Sequence, residues 1–462
     1  MTAASPQQLV EHALQASTSD DCVVIVHDST SANLRWANNT LTTNGVMHGV
    51  SVTVVAFHEG SDGTASGSVT ASAAALDQVT RIVEAADAAA KASSPAEDAH
   101  PLVDGAADAD WFDPSGKTSI EVYADFAPAL GEAFRRADSD GRVLYGFVDH
   151  DVTTTYLGSS TGLRRRHVQP TGYYSVTAKP SDQSSSAWVG GATRDFTDVD
   201  VSVVDAELER RLGWAQRQVR LDAGRYDTIL PPTAVSDLMI YAYWTASARD
   251  AYDGQTVFSR RGGGTRIGDS LSDRPVQVFS DPTYDRLQCA PFSTAAASNS
   301  IESVFDNGIP LSRTHWVADG SMAALLQNRY SARLTEQPVT PYIDNLVVSV
   351  DGATGSTQDL VADVDRGLLL TCLWYIREVD PQTLLLTGLT RDGVYLVEGG
   401  EVTGAVNNFR FNESPVDLLR RFTHASATGP SFSREWGDYF PRTATPALRV
   451  PDFNMSTVSQ AQ

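Results

Sequence analysis

Hydrolytic chemistry at a metal calls for imidazole, thiolate and carboxylate ligands at set spacings, and histidine is the first residue type to count. The chain has nine: His12, His27, His48, His58, His100, His150, His167, His315 and His424. No two are closer than ten residues. A zinc protease helix places two imidazoles one turn apart with a glutamate beside them. That local pair is excluded here, although a site assembled from distant residues stays open. His58-Glu59 runs into Gly60-Ser61-Asp62-Gly63, which is turn chemistry rather than a ligand helix. Nucleophilic chemistry has one formal candidate. Gly158-Ser159-Ser160-Thr161-Gly162 matches the G-x-S-x-G elbow, whose serine (here Ser160) needs a strand before it and a helix after it. A strand precedes it, but Leu163 to Gln169 leads to Pro170 and Gly172 and reads as a second strand, so a hairpin turn is expected. Gly262-Gly263-Gly264 with Gly268 lacks the Lys and Ser/Thr of a phosphate loop and reads as a flexible loop.

Two further clusters carry charge or aromatic surface. Arg164-Arg165-Arg166 is a basic run in an acidic protein, either a solvated strand edge or a contact for the carboxylates of a partner. Trp374, Tyr375, Arg377 and Glu378 follow an apolar run; such residues line a groove or interface, or form a core capped by a salt bridge.

The elements that must position these residues read as α+β. Ser5–Ala16 has helical spacing, and β-like runs follow at Cys22–His27, Asn33–Asn38 and Gly49–Phe57, separated by turn-rich pieces at Asp28–Ser31 and Thr42–Gly45. This predicts an antiparallel meander. Ala71–Ala92 is an amphipathic helix suited to cover one face of it. Ser93–Pro114 is acidic and proline-bearing, a loop or linker. Helices are expected at Phe126–Ala137, Leu208–Val219 and Ala234–Ala251, and strands at Arg142–Asp149, Thr153–Leu157 and Tyr173–Ala178. From Gln255 to about Ala405, glycine and short β-branched runs predict a mostly antiparallel β region with a closed, barrel-like or strongly curved sheet. Length favours two or three domains, and the change of character at Ala223 divides the chain into an N-terminal α+β domain over 1–222, with its acidic linker near 93–114, and a C-terminal mainly β domain over 223–462.

Composition narrows the function. The 462 residues carry a formal charge of −22, which opposes a grip on nucleic acid or anionic lipid. No apolar run approaches the length of a membrane span, and Met1–Gln15 does not read as a secretory signal. Cys22, Cys289 and Cys372 are scattered, with no C-x-x-C pair, as expected of reduced cysteines in a soluble cytoplasmic protein.

Several segments, taken in order, resemble the TldD/TldE family, whose TldE members are also called PmbA and were once described as modulators of DNA gyrase. Leu34-Arg35-Trp36-Ala37-Asn38-Asn39 is similar to the family's Arg-x-Ala-x-Asn strand, and Ser160–Gly162 to its Ser-x-Gly hairpin. Ala223-Gly224-Arg225-Tyr226-Asp227 resembles the entry to its second domain. Ile267-Gly268, Ser280-Asp281-Pro282, Phe305-Asp306-Asn307-Gly308-Ile309-Pro310 and Gly393–Gly400 follow in the family's order. Two departures stand out: Gly49–Val54 lacks the usual Gly-rich, Arg-containing pattern, and Asp306-Asn307-Gly308 replaces Asp-Glu-Gly.

TldD subunits carry a His-Glu-x-x-x-His helix and a late cysteine that hold zinc; TldE subunits lack them and pair with TldD. The corresponding helix here, roughly Thr233–Thr245, has neither histidine nor glutamate, and Ser431-Phe432-Ser433 stands in the region of the cysteine. The resemblance therefore implies a non-catalytic TldE-type subunit with no catalytic, metal or cofactor-binding residues of its own. Zinc would sit in a TldD-like partner, and unfolded or extended peptides would be the substrates. The alternative is a partner-free scaffold that forms a homodimer. The candidate groove or interface residues are Arg35, Asn38, Trp374, Tyr375, Arg377 and Glu378.

Overall fold

The computed structural model describes residues 4–459; the extreme ends of the expected 1–222 and 223–462 domains, and the first three residues of the Met1–Gln15 segment, lie outside the described residues. The chain opens with helix α1 (Pro6–Ala16), started by a capping box between Ser5 and Gln8. Strands β1 (Asp21–Ala37), β2 (Thr40–Gly60) and β3 (Gly63–Ser72) form one antiparallel meander. After helices α2 (Leu76–Ala92) and α3 (Phe126–Ser139), a second meander adds β4 (Arg142–Ser159), β5 (Arg164–Pro180) and β6 (Ala187–Thr193). β1 pairs with β4, giving a six-stranded sheet in the order β3-β2-β1-β4-β5-β6. Helix α4 (Val201–Trp214) closes this half.

The strands are longer than their apolar runs. The expected turns at Asp28–Ser31 and Thr42–Gly45 are paired residues inside β1 and β2, and 150–152 continues β4 between its two expected pieces. Polar side chains pair across this part of the ladder instead of turning the chain: Ser29 meets Thr153 at 2.6 Å, and His48 meets Asp28 at 2.7 Å. The real turn between β1 and β2 is Asn38-Asn39, both left-handed (φ 51° and 57°), as a two-residue hairpin of matching twist requires.

Alternation along β1 places Cys22, Val24 and Val26 against α1 and α2, while Val23 and Ile25 face the other way. That opposite face packs on Phe292, Val304 and Phe305 of the C-terminal half. The 93–114 segment is a strap rather than a loose linker. Its Ala96, Ala99, Leu102 and Val103 join the same cluster, Asp98 accepts hydrogen bonds from Ser298 and Ser303, and Glu97 pairs with Arg249.

In the C-terminal half, helix α5 (Pro232–Trp244) buries residues on nearly all its faces, so it can only sit in a core. The expected single helix over Ala234–Ala251 is two. Helix α5 stops at Trp244, and Ser247 caps a short helix, Ala248–Tyr252, by accepting from the Asp250 amide. One sheet runs Ser321–Met322, Thr314–Ala318, Val276–Ser280, Leu346–Val350, Thr443–Thr445, Gly429–Ser431. The other has ten strands, with Leu373–Asp380 at one edge. Leu238, Ile240 and Tyr243 of α5 share one core with Val278 and Leu346 of the first sheet and Leu368, Phe409 and Phe453 of the second. Pairing is mostly antiparallel with parallel exceptions such as Leu346–Thr443 and Leu368–Thr228. Neither sheet closes, so the closed, barrel-like expectation gives way to two open sheets around a helix. Among the described residues no helix is long and apolar enough to cross a membrane.

Candidate functional site

The first turns of α5 bring Ser236 and Asp237, both fully buried, against the segment 431–436 that arrives nearly 200 residues later. Ser236 Oγ donates to the Pro232 carbonyl at 2.8 Å and shares a hydrogen bond with Ser431 Oγ at 2.7 Å. Ser433 Oγ donates to Asp237 Oδ1, and the Glu435 amide donates to the same oxygen at 2.9 Å. Trp436 ties the turn down: its amide donates to Ser433 Oγ and its indole N–H to the Asp237 carbonyl, each at 2.9 Å. Asp237 Oδ2 is buried with no hydrogen-bond partner. Burial pushes the Asp237 carboxyl up to about 7, against the pull of the Ser433 and Glu435 donors.

The next layer is the edge strand Leu373–Asp380. The Glu435 carboxylate accepts the Tyr375 amide at 3.0 Å and the Ile376 amide at 3.2 Å, and Arg377 lies 3.6 Å from it. Tyr375 has φ 51° and the ladder slips there, so a side-chain carboxylate fills hydrogen bonds that a strand would otherwise make. The Arg434 guanidinium lies over Trp374 at 3.9 Å and over Trp188 at 4.7 Å, a cation between two indoles that joins the two halves. Beneath it, Cys372, Trp188 and Phe432 pack together, and Phe432 stacks on Tyr173 at 5.7 Å.

Of the six candidate residues, Trp374, Tyr375 and Arg377 contact this turn directly, and Glu378 continues their strand, exposed. Arg35 is exposed, 5.7 Å from the Phe147 ring. Its charge acts on Asp149, whose carboxyl is pushed up first by burial, pulled down by Arg35, and pushed up again by Asp438 beyond the turn. Asn38 stands apart on the β1–β2 turn, accepting from the Tyr145 hydroxyl at 2.7 Å. Asp237 and 433–436 carried no local signal in the sequence. The one hint is a carboxylate set among Val235, Leu238, Met239 and Ile240 in an otherwise apolar helix.

The other sequence candidates resolve into structural roles. Ser160 lies in the β4–β5 hairpin, with no helix after it; its hydroxyl donates to Asp21 at 2.6 Å and accepts from the Cys22 amide at 3.1 Å. Arg164, Arg165 and Arg166 are not a solvated edge: they pair with Glu11, Asp108 and Asp110, so the strap supplies two of their three carboxylates. Gly262, Gly263 and Gly264 all have positive φ in a tight loop closed by Arg260 and Gly264.

Zinc takes imidazole, thiolate or carboxylate ligands in a closed tetrahedron, or three such ligands and water. The residues gathered where α5 meets 431–433 do not fit it. They are serine hydroxyls already engaged in hydrogen bonds and one carboxylate whose Oδ1 holds two donors. Among the described residues, no three His, Cys, Asp or Glu side chains form a group that could hold a metal ion.

Comparison with known proteins gives the fold and the family. No curated protein matches the chain. TldE from Thermococcus kodakarensis superposes with a TM-score of 0.75 at 15% identity, over 98% of this chain and 99% of that one. A proposed modulator of DNA gyrase from Thermotoga maritima gives 0.73 at 16%, over 94% and 95%. Another from Bacteroides thetaiotaomicron gives 0.72 at 13%, over 98% of both. At these identities the likeness shows a shared fold. The model of the PmbA/TldA metallopeptidase C-terminal domain matches residues 223–457, and that of the family's domain 1 matches 22–93. This protein belongs to the PmbA/TldA metallopeptidase family, the TldD/TldE family that its sequence resembles.

Proposed function

We propose that this chain is the non-catalytic, TldE-type subunit of a cytoplasmic TldD/TldE metalloprotease complex that processes or degrades peptides. One observation carries the reading: in a metallopeptidase family member, the place where α5 meets 431–433 is filled by Ser236, Asp237, Ser431 and Ser433 bonded to one another. A catalytic zinc keeps an open position for water or substrate; this packed, hydroxyl-lined knot offers none. Hydrolysis then belongs to a TldD-like partner that carries the zinc, and this chain supplies walls and strand edges to a shared chamber. Extended peptides suit such edges, because strand addition reads the backbone and tolerates many sequences.

The test is a peptidase assay on the purified chain, on a TldD-like His-Glu-x-x-x-His protein from the same host, and on the two combined. The reading expects chelator-sensitive cleavage by the combination, an equimolar complex on co-purification, and no cleavage by this chain alone. Chelator-sensitive cleavage by the isolated chain would refute it, and self-association without a complex would favour the homodimeric scaffold.

A further inference from the structure

Strand β2 runs for 21 residues, but its outer neighbour β3 runs for 10 and ends with Ser72 opposite Ser51. The first half of β2 therefore pairs with β1 on one side and with no strand on the other. The Ala73 amide donates to the Val50 carbonyl at 3.2 Å, the last bond on the outer side. In an antiparallel ladder the backbone groups of alternate residues point the same way. Asn44, Val46 and His48 thus turn their N–H and C=O outward, into solvent. The bulge of this hairpin lies nearer its turn, between the pairs Arg35–Thr43 and Trp36–Leu41, and leaves Thr43–Val50 regular.

Two other strand edges are guarded. β6, at the far side of the same sheet, is 7 residues long, and Arg211 Nη1 donates to its Trp188 carbonyl at 2.7 Å. Leu373–Asp380 has the Glu435 carboxylate on its amides. The free part of β2 has no such guard: Thr40 to Val50 contains no proline, lysine, arginine or acidic residue, in a chain with a formal charge of −22. It carries exposed apolar side chains instead, Leu41, Val46 (53%) and Met47 (65%).

Two glycines point the same way. Gly45 and Gly49 flank Met47 on one face of the strand, and neither has a left-handed backbone. A Cβ on Gly49 would meet nothing within 4 Å, and one on Gly45 would meet only the Asn33 side chain, at 3.9–4.0 Å. Nothing inside the chain asks for glycine at either place. Where there is no bulge or bend, glycine in a strand interior marks the close approach of another backbone or a ligand.

We propose that this edge pairs with the same edge of a second copy of the chain, antiparallel and centred on Val46. That register joins Val46 to Val46 and Asn44 to His48, so it uses the free groups of all three residues and leaves the Val50 carbonyl to Ala73. It also sets Met47 of each copy directly opposite Gly45 of the other, filling the space that the glycine leaves. An isologous contact places a patch against itself and would bring like charges face to face; an edge without formal charge escapes that cost. Two six-stranded sheets become one continuous sheet. The pairing goes beyond the subunit reading and does not depend on it.

Sedimentation velocity of the full chain over a dilution series, with hydrogen exchange on the same samples, tests the proposal. The chain should pass from dimer to monomer on dilution, and the Asn44, Val46 and His48 amides should lose protection as it does. Val46→Lys sets like charges opposite each other and should raise the dissociation constant about tenfold or more. Gly45→Val, whose side chain the single chain accommodates, should weaken the dimer by colliding with Met47 of the second copy. Both variants should keep the native circular dichroism. A chain that stays monomeric throughout, a dimer that leaves the three amides exchanging as in the monomer, or variants that dimerise like the native chain would overturn the proposal. Protection of those amides only after a TldD-like protein is added overturns it too, and gives the edge to that partner. The subunit reading is scored apart, by peptidase activity of the combined proteins, so either can fail while the other stands.

Discussion

Two buried aspartates, one in each half, are dressed by hydroxyl groups and yet titrate in opposite directions. Asp87 on α2 is 6% exposed and receives four donors: the hydroxyls of Ser17, Thr18 and Ser19 and the Thr18 amide, at 2.7–2.9 Å. Asp237 on α5 is fully buried and receives two donors on one oxygen and none on the other. Burial raises both carboxyls. At Asp87 the four donors outweigh it and the pKa falls; at Asp237 they do not, and it rises to about 7. The number of donors and the depth of burial together set the sign. Asp87 is a finished clasp holding α2 to the α1–β1 turn, whereas Asp237 is a half-satisfied carboxylate in the helix that faces the candidate site.

The comparison breaks first on pH. For Asp237 the folded value lies above the unfolded 3.8, so its contribution to stability falls as pH rises from about 4 through 7 and is at its worst above 7. A shift of that size corresponds to about 4 kcal/mol at most. Denaturant unfolding of Asp237→Asn should lack this component, with the difference from the native chain changing across pH 4–7. Asp87 works in the other sense: its lowered folded value gives stability that is present above the unfolded 3.8 and lost as pH falls through the folded value. Asp87→Ala should cost about 3 kcal/mol at neutral pH, because it strands the Ser17, Thr18 and Ser19 donors, and less at low pH, once the carboxyl is protonated.

Two smaller effects sharpen the contrast between clasp and site. Glu435→Ala should cost about 2 kcal/mol and speed hydrogen exchange at the Tyr375 and Ile376 amides, which lose their carboxylate; unchanged exchange would remove Glu435 as the cap of the edge strand. Asn38→Gly, on the turn far along β1, should leave the unfolding free energy within about 0.5 kcal/mol of native, since glycine also accepts φ 51°.

Legibility in the sequence followed the distance between partners. Helices α1, α2 and α3 and the β4–β5 hairpin were readable, because spacing within one element fixes them. The polar stretches Asp28–Ser31 and Thr42–Gly45 misled, since their side chains are satisfied by cross-strand partners that a local window does not contain. The closed-sheet expectation failed for a related reason: glycine-rich, β-branched runs indicate strands but not whether the last strand returns to the first. Trp374, Tyr375 and Arg377 stood out by density of large side chains. The knot itself did not, since Ser236 and Asp237 find Ser431 and Ser433 only after about 195 residues of intervening chain. The resemblance named both segments; the fold shows that they touch.

The central claim is that the place where α5 meets 431–433 is closed with hydroxyls and a lone carboxylate rather than built for a metal. Titrating zinc calorimetrically into the purified full chain at neutral pH, beside Asp237→Asn, tests it most directly. The account predicts no stoichiometric binding in the native protein and no difference between the two. One tightly held zinc per native chain, lost in the variant, would contradict it.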